Sequence, residues 1–392
     1  MRIFEPVRSP RMRSPDAHTE PSLAEIVWEW GRIGCVGFGG PPAHVALLRE
    51  LCVRQRQWLT DAQFERAIAA TNLLPGPAST QLAIYCAWRL RGRAGAVAGG
   101  LGFIFPGLVL ILALAALFLS GSPPAWLLGA GRGSGAAVAA VAVRTGLGVA
   151  APIWRRAGPP LRRRVLAYGL AGAVAAAVAG PWLVLVLVAC GAVELLGARL
   201  ASSLPALLAA NGDPGGTLAL IWTSLKVGAL AFGGGFVIVP LMQSDAVSTY
   251  HWMSHAQFLN AVALGQLTPG PVTHTVAAVG YAAAGVPGAL LAALVAFAPS
   301  FAFVLGGAGR FERLLRDRRA LAFLAGAAPC AAGAIIGASI PLAAALSETW
   351  EYALLAASAV ALLALRRGVL ATLLLAGCAG AVAGALGAPV PR

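Results

Sequence analysis

Two stretches of this chain, 194 residues apart, carry the same pattern of unusual residues, so the fold has to be built twice. The first stretch holds Trp28, Arg32, Phe38-Gly39-Gly40, Trp58, Ala62-Gln63-Phe64 and Pro75-Gly76-Pro77. The second holds Trp222, Lys226, Phe232-Gly233-Gly234, Trp252, Ala256-Gln257-Phe258 and Pro269-Gly270-Pro271, in the same register without a gap. In each copy a glycine cluster and a Pro-Gly-Pro triplet interrupt an apolar stretch, and one basic residue stands just ahead of the glycines.

The medium around these interruptions is lipid. Of 392 residues, 58% are hydrophobic and 11% charged, with a mean hydropathy of +0.77, whereas soluble domains carry about 25% charged residues. Runs such as 94–119, 165–198 and 286–309 are nearly free of charge, each long enough for about one 30 Å crossing. The expected fold is an all-α polytopic membrane protein of two homologous halves, with roughly 10–13 membrane segments including broken or re-entrant helices. Its parts read as a basic, disordered cytoplasmic tail (1–21), a first membrane domain (22–199), a linker (200–216) and a second membrane domain (217–392). The tail lacks the apolar core of a signal peptide.

Twenty-nine basic against 15 acidic residues give a net charge of +14. The arginines cluster in short loops, among them Arg89, Arg91 and Arg93, then Arg155, Arg156, Arg162, Arg163 and Arg164. That is the positive-inside signature of a multi-pass protein, so nucleic acid is not an expected partner and the bilayer is. The six cysteines are scattered singly, which suits packing rather than metal ligation or a disulfide framework, and no metal or cofactor is expected. Loop charge also bears on orientation. Residues 49–66 carry Arg49, Arg54, Arg56 and Arg66, while their counterparts at 243–255 carry no Lys or Arg. If basic loops stay in the cytoplasm, the halves are inverted repeats.

The chemistry concentrates in the repeated motif. Lys226 is the only lysine of the chain and lies in an apolar run, where a mid-bilayer cation costs roughly 2.5–3.5 kcal/mol. Arg32 is its repeat mate. One such cation reads most simply as a snorkelling anchor, but two at equivalent positions ahead of glycine breaks point to an anion site. Gly39-Gly40 and Gly233-Gly234-Gly235 let backbone N–H groups approach a ligand at a restarting helix, or else serve close helix packing. Pro75-Gly76-Pro77 and Pro269-Gly270-Pro271 prevent continuous helix, and backbone of that kind at membrane depth lines a cavity or is buried in protein. These breaks are expected near the midplane, facing each other across the repeat interface. Asn72, Ser79, Thr80 and Gln81 surround the first, Gln266, Thr268, Thr273, His274 and Thr275 the second. They suit an oxygen-rich ligand, or the satisfaction of freed backbone at a plain kink. His274 is a candidate for proton coupling, with a structural role as the alternative.

With these motifs the chain resembles the chromate ion transporter family, long-chain two-domain type. The resemblance rests on FGGPPAHVALL (38–48) with LLPGPASTQLAIY (73–85), and on FGGGFVIVPLM (232–242) with LTPGPVTHTVAAVGY (267–281). It implies chromate efflux from the bacterial cytoplasm across the inner membrane, conferring resistance. The substrate-binding candidates drawn from the repeated motif are Arg32, Phe38, Gly39, Gly40, Asn72, Pro75, Gly76, Pro77, Lys226, Phe232, Gly233, Gly234, Gly235, Gln266, Thr268, Pro269, Gly270 and Pro271. Sulfate, a tetrahedral dianion of similar size, is the alternative substrate. A homodimer is left open. An anion channel or an intramembrane enzyme is the remaining class, and no HExxH or partnered GxSxG supports an enzyme.

Overall fold

The computed structural model describes residues 20–72, 74–119, 123–178, 183–196, 216–231, 236–311 and 317–390. Phe232, Gly233, Gly234 and Gly235 lie outside the described residues, as do most of the expected tail and linker. Among the described residues there is helix and no strand. In chain order the first half gives α1 (Leu23–Val36), α2 (Pro41–Arg49), α3 (Asp61–Thr71), α4 (Ala78–Leu119), α5 (Ala125–Arg156), α6 (Pro159–Val178) and α7 (Leu183–Leu196). The second half gives α8 (Thr217–Leu230), α9 (Ile238–Gln243), α10 (His255–Leu267), α11 (Thr275–Gly307), α12 (Arg318–Gly337), α13 (Ser339–Ala344), α14 (Thr349–Ala359) and α15 (Val369–Ala385).

The duplication is reproduced in fine detail. A π-helical turn at Glu50–Gln55 has its copy at Ser244–Thr249. Each is followed by a residue with φ 52°, Gln57 and His251. The Ala-Gln-Phe motif turns out to be scaffolding. Gln63 and Gln257 complete capping boxes with Thr60 and Ser254 at the starts of α3 and α10, while Phe64 and Phe258 are fully buried.

Two of the long helices are hairpins. Helical geometry fails in α4 at Arg91 and Gly92 (φ 56°), and in α11 at Ala284 and Gly285 (φ 61°). Positive φ suits glycine, which has no Cβ to clash. Beyond the turn the chain doubles back: Gly100 lies against Ile84, Gly95 and Gly99 against Ala87, and Gly280 against Gly288. The short arm 78–90 and the apolar run 94–119 are therefore joined without a loop. The first arm of α4 (78–90) is about 20 Å long, too short for a 30 Å core, whereas its second arm (93–119) reaches across. Likewise α1, at about 21 Å, cannot cross alone. It is held to the hairpin by the Trp30 indole N–H, which donates to the Ala83 carbonyl (2.8 Å). Among the described residues four helices, Ala78–Leu119, Ala125–Arg156, Val272–Gly307 and Arg318–Ala344, are long and apolar enough to span a membrane. The chain is an all-α polytopic membrane protein with broken helices in each half.

Halves exchange their ends. α5 of the first half packs on α14 and α15 of the second, and α12 of the second packs on α6 and α7 of the first. Small residues allow both approaches. Gly129 and Gly133 of α5 meet Gly380, Ala376 and Gly384 of α15, while Gly326, Gly333 and Gly337 of α12 meet the backbone of Cys190, Gly169 and Ala173. Without side chains between them, two helices gain dispersion contact that lipid cannot match. The glycine-rich stretch 129–135 is thus a helix-packing face.

One buried ion pair pins this exchange. Arg132 (3% exposed) meets Glu351 (0%) at 2.5 Å from α5 to α14, and also donates to the Ser347 hydroxyl (2.7 Å). The second Glu351 oxygen accepts the backbone N–H groups of Ser347 and Glu348. Replacing Arg132 by Met strands a buried carboxylate and should cost about 3–5 kcal/mol. Adding Glu351→Gln, which removes the charge and keeps one acceptor oxygen for the Ser347 and Glu348 N–H groups, should recover most of that loss, as read by thermal unfolding in detergent.

Candidate functional site

The two kinds of break meet each other across the repeat interface. The Gly270 N–H, in the second Pro-Gly-Pro, donates to the Gly37 carbonyl at the end of α1 (3.0 Å). The same carbonyl lies 2.8 Å from His44 Nε2, on α2. Gly40, which follows with φ 73°, is approached by Val272. Behind them Gly107, in the long arm of α4, is packed so closely against the Pro269 carbonyl and the His274 ring that no Cβ would fit.

The opposite contact is made by the first triplet. Gly76 (φ 116°) faces the Gly228 carbonyl near the end of α8 and the Ser300 hydroxyl on the long arm of α11. Gln81 closes the turn by donating to the Pro75 carbonyl (2.6 Å). The contacts are reciprocal, as a pseudo-two-fold relation requires. Each Pro-Gly-Pro is seated on the other half's first helix and long arm, not on the other Pro-Gly-Pro. Two repeat-related phenylalanines back the junction: His44 stands edge-on to Phe103 (5.0 Å) and His274 edge-on to Phe297 (5.4 Å).

Buried polar atoms without a hydrogen-bond partner in the protein collect here. Around the first triplet are Thr80 Oγ1, Gln81 Oε1 and Ser300 Oγ. Around the second are Thr273 Oγ1, both ring nitrogens of His274, and His44 Nδ1, with Gln266 Nε2 just ahead of it. Each such atom costs roughly 1–3 kcal/mol if left unpaired, so their concentration at two breaks is expensive unless used. The hydroxyls of Thr80, Ser300 and Thr273, the Gln266 amide N–H and a His274 ring N–H, together with the free N–H groups of the first turn of α4, are a donor set for an oxyanion. Gln81 Oε1 and His44 Nδ1 can only accept, since the N–H of each is already spent on a carbonyl. At α2 the supply is smaller, because Pro41 and Pro42 have no N–H.

The sequence-selected residues divide accordingly. Pro75, Gly76 and Pro77 lie at the contact with α8 and the long arm of α11, and Pro269, Gly270, Pro271, Gly40 and His274 at the contact with the end of α1 and the long arm of α4, while Thr268 is buried beside the latter with its hydroxyl turned to the Gly265 carbonyl (3.4 Å). Phe38 is half-buried, and Gly39 and Asn72 are exposed.

Both cations are paired. Arg32, with 53% of its side chain exposed, bonds Glu29 (2.8 Å), which is also held by Arg56 (2.7 Å) from beyond the first π turn. Lys226 is half-buried and bonds Asp245 (2.5 Å) on the second π turn, where Thr223 also donates (2.8 Å). Both halves therefore staple their first helix to their π turn by an ion pair, but with opposite polarity. In the first half the acid is on the helix, in the second the base.

Sequence reasoning passed over His44, Asp245, Ser300 and the Phe103–Phe297 pair. Some signals were available. Asp245 is the only acid between Asp213 and Glu312, 19 residues after the only lysine, and the phenylalanines keep the 194-residue spacing. For Ser300 and His44 there was none, since each is polar only in its own half and its neighbours come from another part of the chain.

Known proteins bear on this arrangement. A family model described as chromate transporter matches residues 24–195 and 218–384, both halves of the repeat. The chromate transport protein of Cupriavidus metallidurans is 32% identical over 88% of this chain and 89% of its own length. That of Pseudomonas aeruginosa is 32% identical over 86% of each. A probable chromate transport protein of Synechococcus elongatus is 28% identical over 83% of this chain and 86% of its own. No solved structure matches the chain. With a duplicated helix-break architecture and a family match over both copies, the chain belongs to the chromate transporter family.

Proposed function

We propose that this protein carries chromate across the bacterial inner membrane, and that the dianion is held where the Pro-Gly-Pro triplet of each half meets the first helix of the other. The observation that carries this placement is the set of buried, unpartnered donors at the two breaks: Thr80 at the first, Thr273 and His274 at the second. A tetrahedral oxyanion presents four oxygens and needs several donors at once, in a site from which water is largely excluded. Efflux is the direction that accounts for a resistance function.

Charge balance gives the paired cations a part. With Arg32 on Glu29 and Lys226 on Asp245, neither motif cation is uncompensated toward a dianion at rest. Lys226 is the better placed, being half-buried and two residues from Gly228, which touches the first Pro-Gly-Pro. Uptake of a proton at His274, beside the second, would add positive charge as the anion enters, and so couple flux to the proton gradient.

The test must separate a cation that serves the anion from one that only staples helices. Lys226→Gln alone leaves Asp245 buried and unpaired, so lost transport there is ambiguous. In Lys226→Gln with Asp245→Asn the staple is neutral, and membrane expression should be normal. Cytoplasmic chromate should then rise to the level of cells lacking the transporter. Normal export by the double variant would reduce Lys226 to a staple. Competition by sulfate and molybdate in vesicles measures preference, and His274→Gln should make export indifferent to an imposed proton gradient.

Reciprocal contacts and the loop charges together favour halves of inverted orientation. Arginines Arg49, Arg54 and Arg56 are engaged by carboxylates, yet the orientation rule counts cations, so their loop still belongs in the cytoplasm. Single cysteines placed in 56–60 and in 249–253, in a cysteine-free background, should label from opposite sides of the membrane. Labelling of both from one side overturns inversion.

A further inference from the structure

Away from the junction, α5, α6 and α12 enclose a groove of about 450 Å³ that opens sideways through exposed Leu147, Trp154, Leu166 and Leu170. Gly169 and Ile336 also line it, and its walls are almost entirely carbon. It runs from Trp154 back to Leu147, about 10 Å along α5, which is within the depth of one leaflet. At the Trp154 end, where α5 turns into α6, stand five exposed arginines: Arg155, Arg156, Arg162, Arg163 and Arg164. Arg164 is engaged by Glu194 (3.3 Å), and the other four have no carboxylate partner among the described residues. The Arg162 guanidinium lies over the Trp154 ring (5.3 Å), so positive charge sits at the groove mouth itself.

We infer that this groove binds one anionic glycerophospholipid of the cytoplasmic leaflet, with an acyl chain against α5 and α6 and its phosphate on Arg162 and Arg163. Charge selects the occupant. A loop this basic stays on the cytoplasmic side, where the leaflet is anionic. A second copy of the chain, docked face to face through the same groove, would bring two arginine clusters together and be repelled. A free phosphate would leave the apolar groove without a purpose.

The experiment uses the full chain in nanodiscs containing brominated phosphatidylglycerol or brominated phosphatidylcholine at equal mole fraction. Quenching is read as the difference between wild type and Trp154→Phe, which isolates Trp154 from the chain's other tryptophans. Phosphatidylglycerol should quench Trp154 with roughly fivefold higher apparent affinity, the effect of about one arginine at an anionic surface. Arg162→Gln with Arg163→Gln should abolish that preference, leaving Arg155, Arg156 and Arg164 to hold topology. Gly169→Leu should block the groove and remove quenching by both lipids; a Cβ there meets only the Pro329 carbonyl at 3.7 Å, an ordinary contact. Equal quenching by the two lipids in the wild type overturns the inference without recourse to any variant. So does a preference that survives the double variant, quenching that survives Gly169→Leu, or cross-linking of two copies through Leu166→Cys.

Discussion

The hydrogen bond from the Gly270 N–H to the Gly37 carbonyl is the point on which the rest of the architecture turns. In hydrocarbon a free backbone group has no water to pair with, so an interrupted helix is stable only if something else satisfies its ends. Here the interruption in one half is satisfied by the interruption in the other. The second triplet thus depends on the first half, which ties the two copies of the motif together and interlocks the halves. The exchange of α5 and α12 for the partner half's final helices extends the same dependence to the periphery, through glycine faces and the Arg132–Glu351 pair.

On this symmetric frame the chemistry is asymmetric. Phe103 and Phe297 hold equivalent places, yet the histidines that meet them come from non-equivalent positions, α2 in the first half and the turn before α11 in the second. The ion-pair staples likewise use equivalent elements with reversed charge. Symmetry in the backbone supplies two similar breaks. Divergence in side chains makes the surroundings of one break amide and hydroxyl and those of the other imidazole and hydroxyl. A carrier that must bind an anion from one side and release it to the other has use for two such non-identical faces.

Much of this was legible in the residues. Low charge and long apolar runs specify helices in lipid, because only closed backbone structures survive there. The 194-residue register marks the two halves, and Pro-Gly-Pro excludes continuous helix through its missing N–H groups and ring clash. The nearness of Glu29 to Arg32 was visible as helical spacing. Hidden were the hairpin turns at Gly92 and Gly285, since neighbouring apolar runs look alike whether a loop or one left-handed glycine separates them.

What the sequence determined by itself is the class of fold, its duplication and the positions of the breaks, all of which follow from local backbone chemistry and from the solvent. Only the tertiary structure decided what those breaks touch. Lys226 and Asp245 are neighbours because a π turn folds back on α8, and His44 and His274 share one junction because each half seats its break on the other. Such pairings join residues as far as 230 positions apart. They are set by the packing of whole helices against each other, to which no local pattern of residues is sensitive.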